Sequence, residues 1–303
     1  MSSILTNNGA MVALQTLRAT NNNMTEVQNQ IATGKRVSTA KDDAANWAIA
    51  TTMSSDISSL TRLSKSLDSS EQMLAVASNA SEQIVEQIKG AQELVVQRQN
   101  VATGTQEYTD INAKLTKIGE TIGSIATSAQ YNGTNLIHGA DTSKAATNQN
   151  ITVSIKRATD GTVSSEAMTV TGENVLAEMF NILQNRTAGE ADYTDVATFA
   201  AAIVQGTGGD GDNKAQLDNL DRALDYMKSV ATSFGSARAR IESQNEFLKG
   251  QADALKMGVG ALVDADMEEA SARLQALQVQ QQLGTQALSI ANQAPQNLLS
   301  LFR

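Results

Sequence analysis

Two acidic groups stand out as residues that could do chemistry: the adjacent pair Asp42 and Asp43, and the denser set Asp264, Asp266, Glu268 and Glu269. Paired carboxylates can act as general acid and base, or hold a divalent cation where their oxygens converge. Neither group has the spacing for it. Neighbours on a helix point about 100° apart, and Asp42 and Asp43 follow Ser38-Thr39 at a helix start, where acids complement the helix dipole. Residues 264–269 lack the Asp-x-Asp-x-Asp-Gly loop of a calcium site, so they read as a solvated or inter-subunit charged patch. The stretch GTGGDGDN at 206–213 invites a phosphate-loop reading but lacks the Lys-Ser/Thr ending and a preceding strand, and reads as a linker. His138 is the single histidine and there is no cysteine, which leaves triads, thiolate metal sites, disulfides and two-histidine zinc sites without their parts. Trp47, the single tryptophan, is assigned to core or interface packing. No cofactor and no enzyme activity are expected.

The elements that would position these residues are helical. One proline in 303 residues and 3% aromatics favour long helices packed through small side chains. Ala10, Leu17, Met24 and Ile31 recur every seven residues near the start, with Leu14 and Val27 between them. From residue 283, Leu283, Ala287, Ile290, Ala291, Ala294, Leu298, Leu301 and Phe302 fall on one broad helical face. Such an apolar ending implies a partner, since chain ends ordinarily fray in solvent. In the body, Leu60, Leu67, Leu74, Ile88 and Val95 hold one heptad position and Leu63, Ala77, Ile84 and Ala91 the other, predicting a helix of roughly 60 residues, ~90 Å long. A second run steps through Ile111, Leu115, Ile118, Ile122 and Ile125. A third passes Leu220, Leu224, Met227, Phe234, Ile241, Leu248 and Leu255. Between the second and third, Asn132-Gly133 and Asp160-Gly161 mark turns, and Ile151, Val153 and Ile155 alternate as a strand of a hairpin that continues through Met168 and Val170. Short helices are expected near 175–183 and 196–204, then a flexible return at Gly206–Gly211. The expected fold is mainly α, a bundle of long coiled-coil helices from both parts of the chain with a small β-hairpin insertion.

The net charge of −9 argues against nucleic acid, which needs a clustered basic face. Residues 1–40 carry +2 and residues 270–303 carry +2, and subtracting both from the total leaves −13 on residues 41–269. The ends are thus nearly uncharged and the middle an acidic, solvated body. No apolar run reaches membrane-spanning length, and the start has no basic region followed by an apolar core, so no membrane and no Sec-type signal are expected.

Three stretches carry a family resemblance: SILTNNGAMVALQTL at 3–17, IATGKRVSTAKDDAANWAIATTM at 31–53, and LVDADMEEASARLQALQVQQQLGTQALSIANQAPQNLLSLFR at 262–303. Together, in this order, the sequence resembles bacterial flagellin. The resemblance implies the filament protein of the flagellum, exported unfolded through the flagellar type III channel and polymerised outside the cell with itself, beside hook-associated and cap proteins. It implies an inner layer from 1–40 with 261–303, an outer bundle from 41–139 with 212–260, and a variable insertion at 140–211. Leu5, with the heptad and C-terminal residues above, would pair the terminal helices and contact neighbouring subunits. Gly34, Asp42, Asp43, Asp264 and Asp266 would lie in the connections, Gly34–Ala40 and Gly258–Ala270. Pro295 should kink the last helix or force a local adjustment. Where many flagellins carry Arg-x-Arg before Glu-Leu, this chain has Gly90 and Gln92 before Glu93 and Leu94, which implies weakened recognition by the innate-immune receptor that reads that patch. A sparsely charged helix pair with broad apolar faces should also be disordered until assembly. The alternatives are a hook–filament junction protein of the same superfamily and a cytoplasmic coiled-coil scaffold.

Overall fold

The structure, a computed structural model, describes residues 7–138, 146, 148–158, 160–185, 195–205 and 213–300, with 294–300 described by backbone alone. Leu5, Leu301, Phe302 and the return at Gly206–Gly211 lie outside the described residues, and Ala294 and Leu298 are placed only as backbone.

Seven helices occur among the described residues: α1 (Asn8–Thr33), α2 (Ala44–Arg98), α3 (Gln106–Ser128), α4 (Val175–Leu183), α5 (Val196–Gln205), α6 (Asn213–Val263) and α7 (Met267–Ser300). Two antiparallel strand pairs accompany them, β1 (Gln130–Tyr131) with β2 (Thr134–Asn135) and β3 (Gln149–Arg157) with β4 (Val163–Val170). Short polar side chains start the helices: Asn7 Oδ1 accepts from Ala10 N, Thr105 Oγ1 from Tyr108 N and Asp195 Oδ1 from Thr198 N, each satisfying an amide that the first turn leaves unpaired. Gly34, at φ 68°, ends α1 in the left-handed conformation open to glycine. Asn132 and Gly133 both have positive φ, the geometry of the tight turn that joins β1 to β2.

The chain divides into two compact units, Met1–Ser58 with Gln251–Arg303 and Ser59–Gly250. Both boundaries fall inside long helices, α2 and α6. The first unit takes the beginning of α2 and the end of α6 because it has an apolar cluster of its own there: Val37, Ala50 and Val263 are buried, with Val259 and Leu262 against them.

In the second unit, Leu60, Leu67, Leu74, Ile88, Ile111, Leu115, Ile122, Leu224, Phe234, Ile241 and Leu248 are buried, and Ile118 is half-buried. The segment between the long helices contributes to this unit's interior. Leu176, Met179, Phe199 and Ile203, on α4 and α5, have no exposed surface. α5 lies directly on α3 because two glycines leave room: a Cβ at Gly119 would stand 2.5 Å from Ala200 Cα, and one at Gly123 2.1 Å from Val196 Cγ1.

Arg98, at the end of α2, is fully buried. Nε donates to Asn213 Oδ1 at 2.8 Å, Nη1 to Asn112 Oδ1 at 2.8 Å and to the Val204 carbonyl at 3.1 Å, and Nη2 to Gln216 Oε1. Gln216 Nε2 in turn donates to the Ile203 carbonyl, and the Tyr108 ring lies 5.5 Å from the guanidinium carbon. The last-turn carbonyls of α5, which a helix end leaves without partners, are therefore met by a cation and its amide neighbour, the sign that the helix dipole favours. Periodicity cannot show this residue, since its heptad position reads as a polar exception.

Candidate functional site

α1 and α7 run antiparallel against each other. Asn7 Nδ2 donates to the Ala291 carbonyl at 2.7 Å and Gln281 Nε2 to Asn21 Oδ1 at 2.8 Å, and beyond the facing helix ends the backbones of Lys35 and Asp264 pair as an isolated antiparallel β-bridge. On α1 the seam consists of Ala10, Leu17, Met24, Val27 and Ile31, with Thr20 buried among them. On α7 it consists of Ala270, Leu274, Leu277, Gln281, Gly284, Leu288 and Ala291, which step by four and three. A Cβ at Gly284 would approach Leu17 Cδ1 to 3.3 Å, so glycine makes room for the leucine. The Asn21–Gln281 layer places one polar pair inside an apolar seam, a device that specifies register.

This α7 stripe differs from the one that the apolar pattern singles out. Leu283 is 58% exposed and Ile290 69% exposed, and Ala287 is exposed as well. Gln281 and Gly284 interrupt the true seam, so counting apolar residues favours the wrong face. The outcome is a helix with two apolar sides, one closed by α1 and one bearing Val279, Leu283, Ala287 and Ile290. On α1, Leu14 is exposed at the edge of the seam, and Met11 is 68% exposed beside Val12.

The connections are tightly bonded. Arg36 N and Val37 N both donate to the Val263 carbonyl, at 2.7 and 3.2 Å, Arg36 Nη2 donates to the Leu262 carbonyl at 2.8 Å, and Ala265 N donates to the Gly34 carbonyl at 3.0 Å. Asp42 Oδ2 accepts from the amides of Thr39 and Ser38, at 2.9 and 3.0 Å, and from both hydroxyls at 3.1 Å. Those bonds, the Thr39 amide's foremost, hold its carboxyl below the usual carboxylate range. Asp43 caps α2 through Asn46 N and Ala45 N, and the Asn46 amide chiefly lowers its carboxyl too. Asp266 caps α7 through the amides of Glu268 and Glu269. The acidic group at 264–269 is therefore a helix start like the first. Gly258 and Gly260 lie within α6, and the second connection shrinks to Asp264–Asp266 because α6 continues to Val263. Among the described residues no cluster of His, Cys, Asp or Glu is suited to a metal ion.

Comparison with known proteins decides what such a chain is. The bacterial flagellin N-terminal helical region matches residues 4–142, and the bacterial flagellin C-terminal helical region matches residues 217–302. Flagellin of Brucella melitensis is 36% identical over 303 residues, covering all of both chains. The chain belongs to the bacterial flagellin family. Flagellin C of Rhizobium meliloti is 33% identical, also over the whole of both chains, and flagellin FljM of Caulobacter vibrioides is 31% identical over all of this chain and 99% of its own. Flagellins are structural proteins of the bacterial flagellar filament, and this chain is one of them.

The patch that flagellin resemblance ties to immune recognition lies on α2. Gly90, Gln92 and Leu94 are half-buried and Glu93 is exposed. Gln92 Nε2 donates to Asp221 Oδ1 of α6 at 2.6 Å, and a Cβ at Gly90 would meet Ile118 Cδ1 at 3.8 Å. His138 is half-buried, with its pKa lowered by burial despite a hydrogen bond to Asn174. Trp47 is 39% exposed on α2, outside the core of the single chain.

Proposed function

We propose that this chain polymerises through the outward apolar side of its terminal helix pair. Residues 1–40 with 261–303 form the inner layer of the filament, 41–139 with 212–260 the outer bundle, and 140–211 the variable segment. The observation that carries this reading is the uncovered series Val279, Leu283 and Ile290, whose burial needs a further surface. Leu5, Ala294, Leu298, Leu301 and Phe302 extend the apolar composition of the same ends. A repeated contact between unlike patches does not close, and so generates a helical polymer.

The chain leaves the cell through the flagellar export apparatus, assembles beneath cap proteins on hook-associated proteins, and works outside the cell without catalysing a reaction. Gly90 and Gln92 weaken recognition by the innate-immune receptor, and a reporter-cell assay reading full potency would contradict that. The filament reading itself is tested by seeding purified subunit with sheared filament fragments, next to a variant ending at Ala270, and following length by electron microscopy. Growth of the full chain alone supports the reading. Growth of the truncated variant overturns it.

A further inference from the structure

The unit Ser59–Gly250 carries two surface features that its own packing does not use. On α6, Arg240, Gln244 and Phe247 share one face by their steps of four and three, and that face borders Val153 and Lys156 of β3. Phe247 is 62% exposed, flanked by the exposed cations Lys156 and Arg240. The other feature is a shallow slot between α2 and α6, with half-buried Val85 and Ala231 at its floor, exposed Glu82 and Glu86 along the α2 side, and on the α6 side Lys228, whose charge is already paired with Asp225 at 3.2 Å.

We propose that Phe247 of one subunit seats on the Val85 and Ala231 floor of a second copy of this chain, with Lys156 and Arg240 against Glu82 and Glu86. This contact rests on the filament reading. A non-closing polymer needs two different patches on one chain that fit each other, and these two are complementary in polarity and charge: an exposed aromatic between cations, an apolar floor beside two carboxylates. A desolvated aromatic at the centre of such a contact is the kind of residue that dominates interface energy. The exposed pairs that now hold these charges, Lys156 with Glu166 at 3.1 Å and Glu86 with Lys89 at 2.7 Å, contribute little in solvent, so exchanging partners costs little.

The test uses the full chain in three variants: K156E/R240E, E82K/E86K, and the quadruple swap. Seeds of each are assembled at high salt, where screening weakens charge repulsion, and growth is read at low salt. All three change exposed side chains, and helix content by circular dichroism checks that each subunit folds. The contact predicts that each double reversal grows at least about tenfold more slowly than wild type and that the quadruple swap recovers most of that rate. Double reversals that grow like wild type overturn the contact, as does a quadruple swap no faster than either double. A wild-type chain that fails to lengthen its own seeds overturns the filament reading and this contact with it.

Discussion

The side-chain amide of Asn7 donates to the carbonyl of Ala291 at 2.7 Å, and Ala291 stands four residues before Pro295. A proline has no N–H to offer the carbonyl one turn back, so the helix leaves that oxygen without its usual donor. α1 supplies the donor instead. The same Asn7 side chain accepts from Ala10 N at 3.1 Å, so one residue caps its own helix and repairs the other. The proline inside α7, whose helical backbone runs to Ser300, is in this way built into the pairing of the chain ends.

Asn7→Ala should therefore cost more than an ordinary cap, about 1–2 kcal/mol in the terminal pair, since both the cap and the carbonyl's donor are lost. Asn7→Asp keeps an acceptor for Ala10 N but loses the donor, and should fall between wild type and alanine. Filament dissociation temperature orders the three, and an aspartate variant equal to wild type would contradict the assigned donor.

Gly119→Ala should destabilise the second unit by about 1–3 kcal/mol, the usual range for overpacking. Its new Cβ would meet the backbone of Ala200, which cannot turn aside as a side chain can. Gly250→Ala, where nothing lies within 4 Å, is the control and should be neutral or slightly stabilising. Denaturant midpoints of the free subunit decide between them.

Arg98→Met should lose about 3 kcal/mol, because buried Gln216 and the part-buried Asn112, Asn213 and Val204 acceptors all lose their donor. Arg98→Lys should recover little of this, as an ammonium cannot reproduce the fork that reaches four acceptors. A lysine variant as stable as wild type would show the guanidinium geometry to be unimportant.

Acid should loosen the connection between α1 and α2. Asp42 has its carboxyl lowered in the fold by the Thr39 and Ser38 amides, so its contribution is present above the unfolded pKa of about 3.9 and is lost as pH falls through the lower folded value. Protection factors of the Ser38 and Thr39 amides, taken relative to the intrinsic exchange rate at each pH, should be unchanged down to about pH 5 and fall below about pH 4. Asp42→Asn should exchange fast across the whole range. Equal protection in wild type and variant would contradict the role given to the carboxylate.

The long helices were legible because their signal is periodic: Leu60 through Val95 repeats often enough to survive the polar gaps at Ser70 and Ser81. α4 and α5 were visible as helices, yet their place on α3 was not, since it depends on the absence of side chains at Gly119 and Gly123. In α7 the pattern was read one stripe away from the seam. Gln281 and Gly284 look like breaks in an apolar face, but the first meets Asn21 and the second receives Leu17. Arg98 left no trace in sequence, because a buried cation held by amides and carbonyls has no characteristic spacing.

The free subunit should hold its terminal helices weakly, for α1 buries only Thr20 and Val27 fully and the outward apolar side of the pair remains wet. Amides of α1 and α7 should exchange far faster than those of α3 in the subunit and become protected in the filament. Equal protection in both states would contradict coupling of their order to assembly.

The most direct measurement is seeded growth of Leu283→Ser/Ile290→Ser, two changes on the uncovered side of α7 that leave the α1 seam intact. If the outward stripe is the polymerising surface, this subunit keeps wild-type helix content but fails to lengthen filament fragments. Growth at the wild-type rate would contradict the account.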